Sequence, residues 1–133
     1  MELDVLAGEY AICRLDAAEA LPDWLGPRDG SRLCSVTWAG TELSVVCPVE
    51  QVPVGADGPD VRVTAGWLAL RVRGPLDFSL IGVLASLVEP LREAGVSVLS
   101  VSTFETDYLL VPAADRLIAL TALREGGHSV AEG

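Results

Sequence analysis

Between residues 79 and 102 the spacing of the apolar residues changes from that of a helix to that of a strand, and this change constrains the fold more than any other feature. Leu80, Val83, Leu84, Leu87, Val88 and Leu91 recur at i, i+3, i+4, i+7, i+8 and i+11, which aligns them as one stripe of an amphipathic helix. Asp77 or Ser79 can cap its start, and Gly95 its end. Pro90 sits inside the stripe and has no N–H for the carbonyl of Ser86, so a kink or a loosened turn is expected near 86–90. The segment Val96-Ser97-Val98-Leu99-Ser100-Val101-Ser102 follows as an alternating, β-branched strand.

The flanking segments extend the pattern. Residues 67–73 read as a half-exposed strand stopped by Gly74-Pro75, and Tyr108-Leu109-Leu110-Val111 is a short apolar strand closed by Pro112. The few residues between 102 and 108 make a hairpin turn. Leu117, Ile118, Leu120 and Leu123 have helical spacing over 115–124, Gly126-Gly127 stops that helix, and 128–130 is left for a final edge strand with His128 exposed. The C-terminal half therefore reads βαββαβ.

The N-terminal half fits the same template with shorter elements. Residues 10–15 form a strand, 17–25 a brief helix, and 33–38 pairs with 42–47 across Ala39-Gly40-Thr41. The second helix is confined to 48–53, where a Pro at each end allows barely one turn, and 61–64 is the last strand. Gly55-Ala56-Asp57-Gly58-Pro59-Asp60 is the linker candidate. The expected organisation is a first unit over 1–64, with a shortened second helix, and a second unit over 65–133. The repeat is one of architecture, not of sequence.

Composition narrows the function. The 133 residues carry a net charge of −10, and all nine basic residues are scattered arginines; such a chain repels phosphate backbones, and nucleic acid is excluded as a partner. No apolar run approaches the ~20 residues of a membrane helix. The acidic start Met1-Glu2-Leu3-Asp4 is unlike a secretory signal, which places the protein in the cytoplasm. Cys13, Cys34 and Cys47 are odd in number and lie in apolar runs, so they read as buried thiols, and Trp24, Trp38 and Trp67 read as core or interface anchors. With one His and no Lys, the chain has little machinery for nucleophilic or acid–base catalysis.

The run Gly74-Pro75-Leu76-Asp77-Phe78, the helix after it, and Ser102-Thr103-Phe104-Glu105-Thr106-Asp107-Tyr108-Leu109-Leu110-Val111-Pro112 resemble the ACT domain. The likeness is to the tandem type of cytosolic arginine sensors and their short bacterial relatives. Glu42-Leu43-Ser44-Val45-Val46-Cys47-Pro48 with Gln51-Val52-Pro53 resembles the first repeat of that family. The resemblance implies an α+β fold of two ferredoxin-like βαββαβ units in tandem, with antiparallel sheets and helices on one face. It further implies binding of a free amino acid or similar small metabolite where two units meet, without turnover, cofactor or metal. Thr103, Phe104 and Asp107 match the family's Thr-Phe-x-x-Asp stretch, which lines the ligand pocket.

Physical chemistry gives these residues a division of labour. A zwitterionic amino acid needs unpaired N–H donors at its carboxylate and an acceptor at its ammonium. The first four N–H groups of a helix have no internal partner and carry partial positive charge; Leu80, Ile81, Gly82 and Val83 are the expected donors, and Gly82 has no side chain to block a ligand. Asp107, with Glu105 nearby, is the expected acceptor. The apolar segment 78–81 suits a smaller or more apolar amino acid better than arginine, whose guanidinium would call for further carboxylates. Open sheet edges predict a homodimer. A competing expectation is an interaction module that kept the fold and lost the ligand.

Overall fold

The computed structural model describes residues 1–26, 32–74 and 81–133. Among these residues it is an α+β protein of eight strands and two α-helices. The chain divides into two compact units, one made of Met1–Ala7 with Trp67–Gly133 and the other of Gly8–Gly66. The expected cut at 64/65 thus falls two residues before the observed one at 66/67, and residues 1–7, expected in the first unit, belong with the C-terminal half.

In the unit of Met1–Ala7 and Trp67–Gly133, β1 (Glu2–Val5), β5 (Arg62–Val72), α1 (Val83–Glu93), β6 (Leu99–Ser102), β7 (Asp107–Pro112), α2 (Arg116–Glu125) and β8 (Ser129–Ala131) follow in chain order. From β5 to β8 the order is βαββαβ. β5 pairs antiparallel with β7, and β7 with β6. β1 lies between β5 and β8, antiparallel to the first and parallel to the second, so this sheet is mixed rather than antiparallel throughout. β1 is a four-residue strand whose partner lies far along the chain, at Leu3↔Val72 and Val5↔Leu70; a pairing that distant leaves no local sequence signal.

One face of this sheet carries the core. Leu68, Leu70 and Val72 of β5, Leu109 and Val111 of β7 and Leu3 of β1 meet Leu87 and Leu91 of α1 and Ala119, Leu120 and Leu123 of α2. Both helices therefore lie on the same face, as period-2 alternation in the strands requires. Both also end alike: Gly95 and Gly127 follow them at φ 75 and 93, with Val96 N–H bonded to Leu91 O and His128 N–H to Leu123 O, the Schellman closure.

α1 runs through Pro90 to Glu93. The carbonyl of Ser86, which Pro90 cannot serve, accepts a hydrogen bond from His128 Nε2 at 2.9 Å. His128 is only 9% exposed, which corrects the expectation of a surface histidine. Its Nδ1 lies 3.0 Å from the α-amino nitrogen of Met1, so Nε2 carries the proton in the neutral ring. The Pro90 ring also seats against Gly126, where a Cβ would come within 2.8 Å of Pro90 Cγ; the close approach of the two helices requires glycine there.

In the unit of Gly8–Gly66, β2 (Tyr10–Asp16), β3 (Ser35–Ala39) and β4 (Glu42–Pro48) form an antiparallel sheet in the order β3-β4-β2. Its core comprises Ala11, Cys13 and Leu15 facing Leu43, Val45 and Cys47, with Leu25 and the partly buried Val61 and Val63. The helix expected over 17–25 is absent. Asp16 instead accepts from Ala18 N–H through its side chain at 2.9 Å and from Glu19 N–H through its carbonyl. Pro22 interrupts the segment, and a second turn closes by Leu25 N–H to Pro22 O at 3.1 Å. Asx-turn bonding and a proline in the middle of the segment outcompete a two-turn helix. The element expected at 48–53 is a single 3-10 turn, Val49–Gln51. No α-helix occurs among the described residues of this unit, and the strands expected at 61–64 and 67–73 are one, β5.

Cys13 and Cys47 are buried and Cys34 half-buried, all as free thiols. The neighbouring Cys13 thiol and burial push the Cys47 thiol up. No helix among the described residues is long and apolar enough to cross a membrane.

This packing can be tested at two points. His128→Ala leaves the Ser86 carbonyl without its donor and is expected to lower unfolding free energy by about 1–3 kcal/mol, measured by urea denaturation. Asp4 on β1 receives Arg73 Nη2 at 2.8 Å, and that guanidinium lowers its carboxyl pKa. A folded-state pKa below the unfolded one gives stability that is present above the ordinary carboxylate range and lost as pH falls through the folded value. Asp4→Asn should therefore be less stable than wild type at neutral pH, with the difference vanishing in acid.

Candidate functional site

The first expected pole is the start of α1. Gly82 is the N-cap residue, in the left-handed region at φ 78 and ψ 8, and has no side chain to cap the helix start. Only glycine holds that conformation without strain, and among the described residues no atom lies within 4 Å of where its Cβ would project. Ser86 N–H is the first to bond back into the turn, to Gly82 O at 2.9 Å. The groups without an intrahelical acceptor are thus the N–H of Gly82, Val83, Leu84 and Ala85. Of the expected donors, Gly82 and Val83 sit at the helix start, Ile81 precedes the cap and is almost fully exposed, and Leu80 lies outside the described residues, as do the expected caps Asp77 and Ser79. The helix begins later than its apolar stripe suggests.

The second expected pole is the turn between β6 and β7. Thr103 closes it: its N–H donates to Thr106 O at 2.9 Å, its hydroxyl to the same oxygen at 3.1 Å, and Thr106 N–H donates to Thr103 Oγ1 at 3.3 Å. Phe104 stands at the tip, 82% exposed. Asp107 opens β7 opposite Ser102, whose hydroxyl donates to Asp107 Oδ1 at 2.7 Å. Thr103 is therefore committed to the turn, whereas the Asp107 carboxylate, half-buried, retains acceptor capacity beyond one hydroxyl.

Thr106 joins this turn without a signal in the sequence. It is 3% exposed, and its hydroxyl donates to Val72 O at 2.6 Å, tying the turn to the last residue of β5, from which the chain leaves towards α1. The pairing of β5 with β7 sets this up, through Arg71↔Tyr108, and Arg71 Nε donates to Tyr108 Oη at 3.2 Å beside it. A threonine in a polar hairpin tip gives no sign that it will be buried. Thr106→Val keeps the shape and removes the donor; it is expected to cost about 1–3 kcal/mol in unfolding free energy and to speed amide hydrogen exchange at 103–106.

Residues 62–125 match the ACT domain family model, and residues 8–55 match a second model, described as an N-terminal domain. No curated protein matches the chain. Among solved structures, the protein Atu0741 of Agrobacterium tumefaciens is 36% identical, with a TM-score of 0.85 over 99% of this chain and 92% of that one. A Vibrio cholerae protein of unknown function, described as a possible transport protein, is 20% identical, with a TM-score of 0.68 over 91% of this chain and 85% of that one. The ligand-free regulatory subunit of aspartate kinase from Thermus thermophilus is 14% identical, with a TM-score of 0.56 over 91% and 95% of the two chains. The last two likenesses are of fold alone. The chain belongs to the family of Atu0741, and its C-terminal half carries an ACT domain.

Proposed function

We propose that this protein is a non-catalytic regulatory module that binds a free amino acid or a similar small metabolite at an interface between ACT units. The observation that carries the reading is the start of α1, whose N-cap residue is a glycine with no side chain to bond there. Gly82 itself offers no side chain to these N–H donors, and no atom of the described residues lies within 4 Å of where its Cβ would project, in a domain whose fold is shared with the regulatory subunit of an aspartate kinase. The ligand carboxylate meets the N–H groups of 82–85, and the ammonium meets Asp107, with Phe104 beside the side chain. Two copies of the chain supply the facing units as a cytoplasmic homodimer. The protein then works as a tandem of two ACT-type units, with the unit over 8–66 as the reduced member.

One observation favours an interaction module instead. Ile81, Phe104, Leu117 and Ile118 are all exposed, and apolar side chains gathered on one domain are what a protein partner would cover.

Thermal unfolding against each of the twenty amino acids separates the two. A ligand present at about 100 times its dissociation constant stabilises by about 2.7 kcal/mol, and at least one amino acid is expected to raise the midpoint. Asp107→Ala should abolish that rise while leaving the unliganded midpoint almost unchanged, because it loses only an exposed hydroxyl bond. No rise with any amino acid would favour the interaction module, and turnover of the bound compound would overturn the regulatory reading.

A further inference from the structure

We infer that Cys34 and Cys47 form an oxidative modification site in the unit of Gly8–Gly66, at which a hydroperoxide converts the two free thiols into a reversible intrachain disulfide that latches β3 to β4. These strands pair antiparallel at Ser35↔Val46 and Val36↔Val45, and the same register carried one residue outward sets Cys34 across from Cys47. Packing continues the strand pattern that far: Cys34 and Val36, two residues apart, both lie against the core that Leu43, Val45 and Cys47 line, as period-2 alternation requires. Residues directly opposite in an antiparallel pair have Cα atoms about 4.5–5.5 Å apart, inside the roughly 4.4–6.8 Å that a disulfide spans. Cys13 stands on the other side of β4, opposite Val45, while Ala11 is opposite Cys47. It neighbours Cys47 only on the diagonal, a separation of about 7–8 Å in strand geometry.

Exposure divides the labour between the thiols. Cys13 and Cys47 are buried, whereas Cys34 is half-buried at the rim of the same core, so Cys34 is the sulfur that an oxidant reaches. Burial and the neighbouring Cys13 push the Cys47 thiol up; it stays protonated and does not attack the oxidant itself. The Cys34 thiolate attacks the O–O bond of the hydroperoxide, an S–O bond forms, and water or an alcohol leaves. The Cys47 sulfur then attacks the sulfenic sulfur: the S–S bond forms, the S–O bond breaks, and the hydroxyl departs with the Cys47 proton as water. Two electrons pass from the two sulfurs to the peroxide, and a dithiol returns them by exchange. The bond closes the β3–β4 hairpin at the end opposite its turn, between Ala39 and Glu42, and restricts the unfolded chain. In a reducing compartment such a bond is transient and reports an oxidant.

The positions of the arginines make the bond readable. Trypsin leaves Cys34 and Cys47 together in the peptide 33–62 and Cys13 alone in 1–14. The full chain is treated with equimolar hydrogen peroxide, its remaining thiols are blocked with iodoacetamide in urea, and the unreduced peptides are weighed by mass spectrometry. Peptide 33–62 is expected to lack two hydrogens and carry no label, with Cys13 labelled in 1–14; dithiothreitol should restore all three thiols. Cys34→Ser should leave Cys13 and Cys47 reduced, and Cys13→Ala should still form the bond. Should Cys13→Ala not fold, the peptide pattern of the unaltered chain decides. The oxidised protein should unfold at higher urea than the reduced one, a rise that Cys34→Ser abolishes. A link between 1–14 and 33–62, a bond between two chains, or a stable sulfinic acid at Cys34 beside a free Cys47 would overturn the site, and an unchanged urea midpoint would overturn the latch.

Discussion

Pro90 removes one hydrogen bond from the middle of α1, and His128 returns it. That exchange fixes much of the C-terminal unit. Because the Ser86 carbonyl is bonded at 2.9 Å, α1 continues past the proline and brings Leu91 onto the same core as Leu87. The donor comes from the residue that completes the Schellman closure of α2, so the end of α2 must lie against the middle of α1. Gly126 provides room for the proline ring to do so. β8 begins at the next residue, and its parallel register with β1 continues the arrangement into the sheet. A substitution at any of these positions therefore acts on the helix pair and the sheet edge together.

The two expected poles of the candidate site differ in how their polar groups are used. At the α1 start the donors are backbone groups, available because Gly82 offers no side chain to cap them. In the hairpin the hydroxyl and N–H of Thr103 are already consumed by Thr106, which leaves the Asp107 carboxylate as the side chain with acceptor capacity to spare.

Elements with a strong period are legible in the order of residues. The stripe through Leu87 and Leu91 marks α1, Leu120 and Leu123 mark α2, and Gly95 and Gly127 mark their ends; the strands at 10–16, 42–48 and 107–112 follow from composition and alternation. The segment 17–25 misleads, because its apolar spacing suggests a helix that Pro22 and the local bonding of Asp16 prevent. In the candidate site, Asp107 stands out by its charge and Gly82 by its lack of a side chain. Thr106 and His128 do not stand out, since each looks like an ordinary polar residue outside an apolar element.

The periodic elements, their glycine and proline boundaries, and the acidic, lysine-free composition are written in the chain itself, because they are set by bonding between residues a few positions apart and by residue type. Where β1 pairs and which side chain compensates Pro90 are settled only by the folded arrangement. Each of those depends on residues from about 40 to more than about 60 positions apart being brought together by the burial of a shared core, and no local pattern records a contact of that kind.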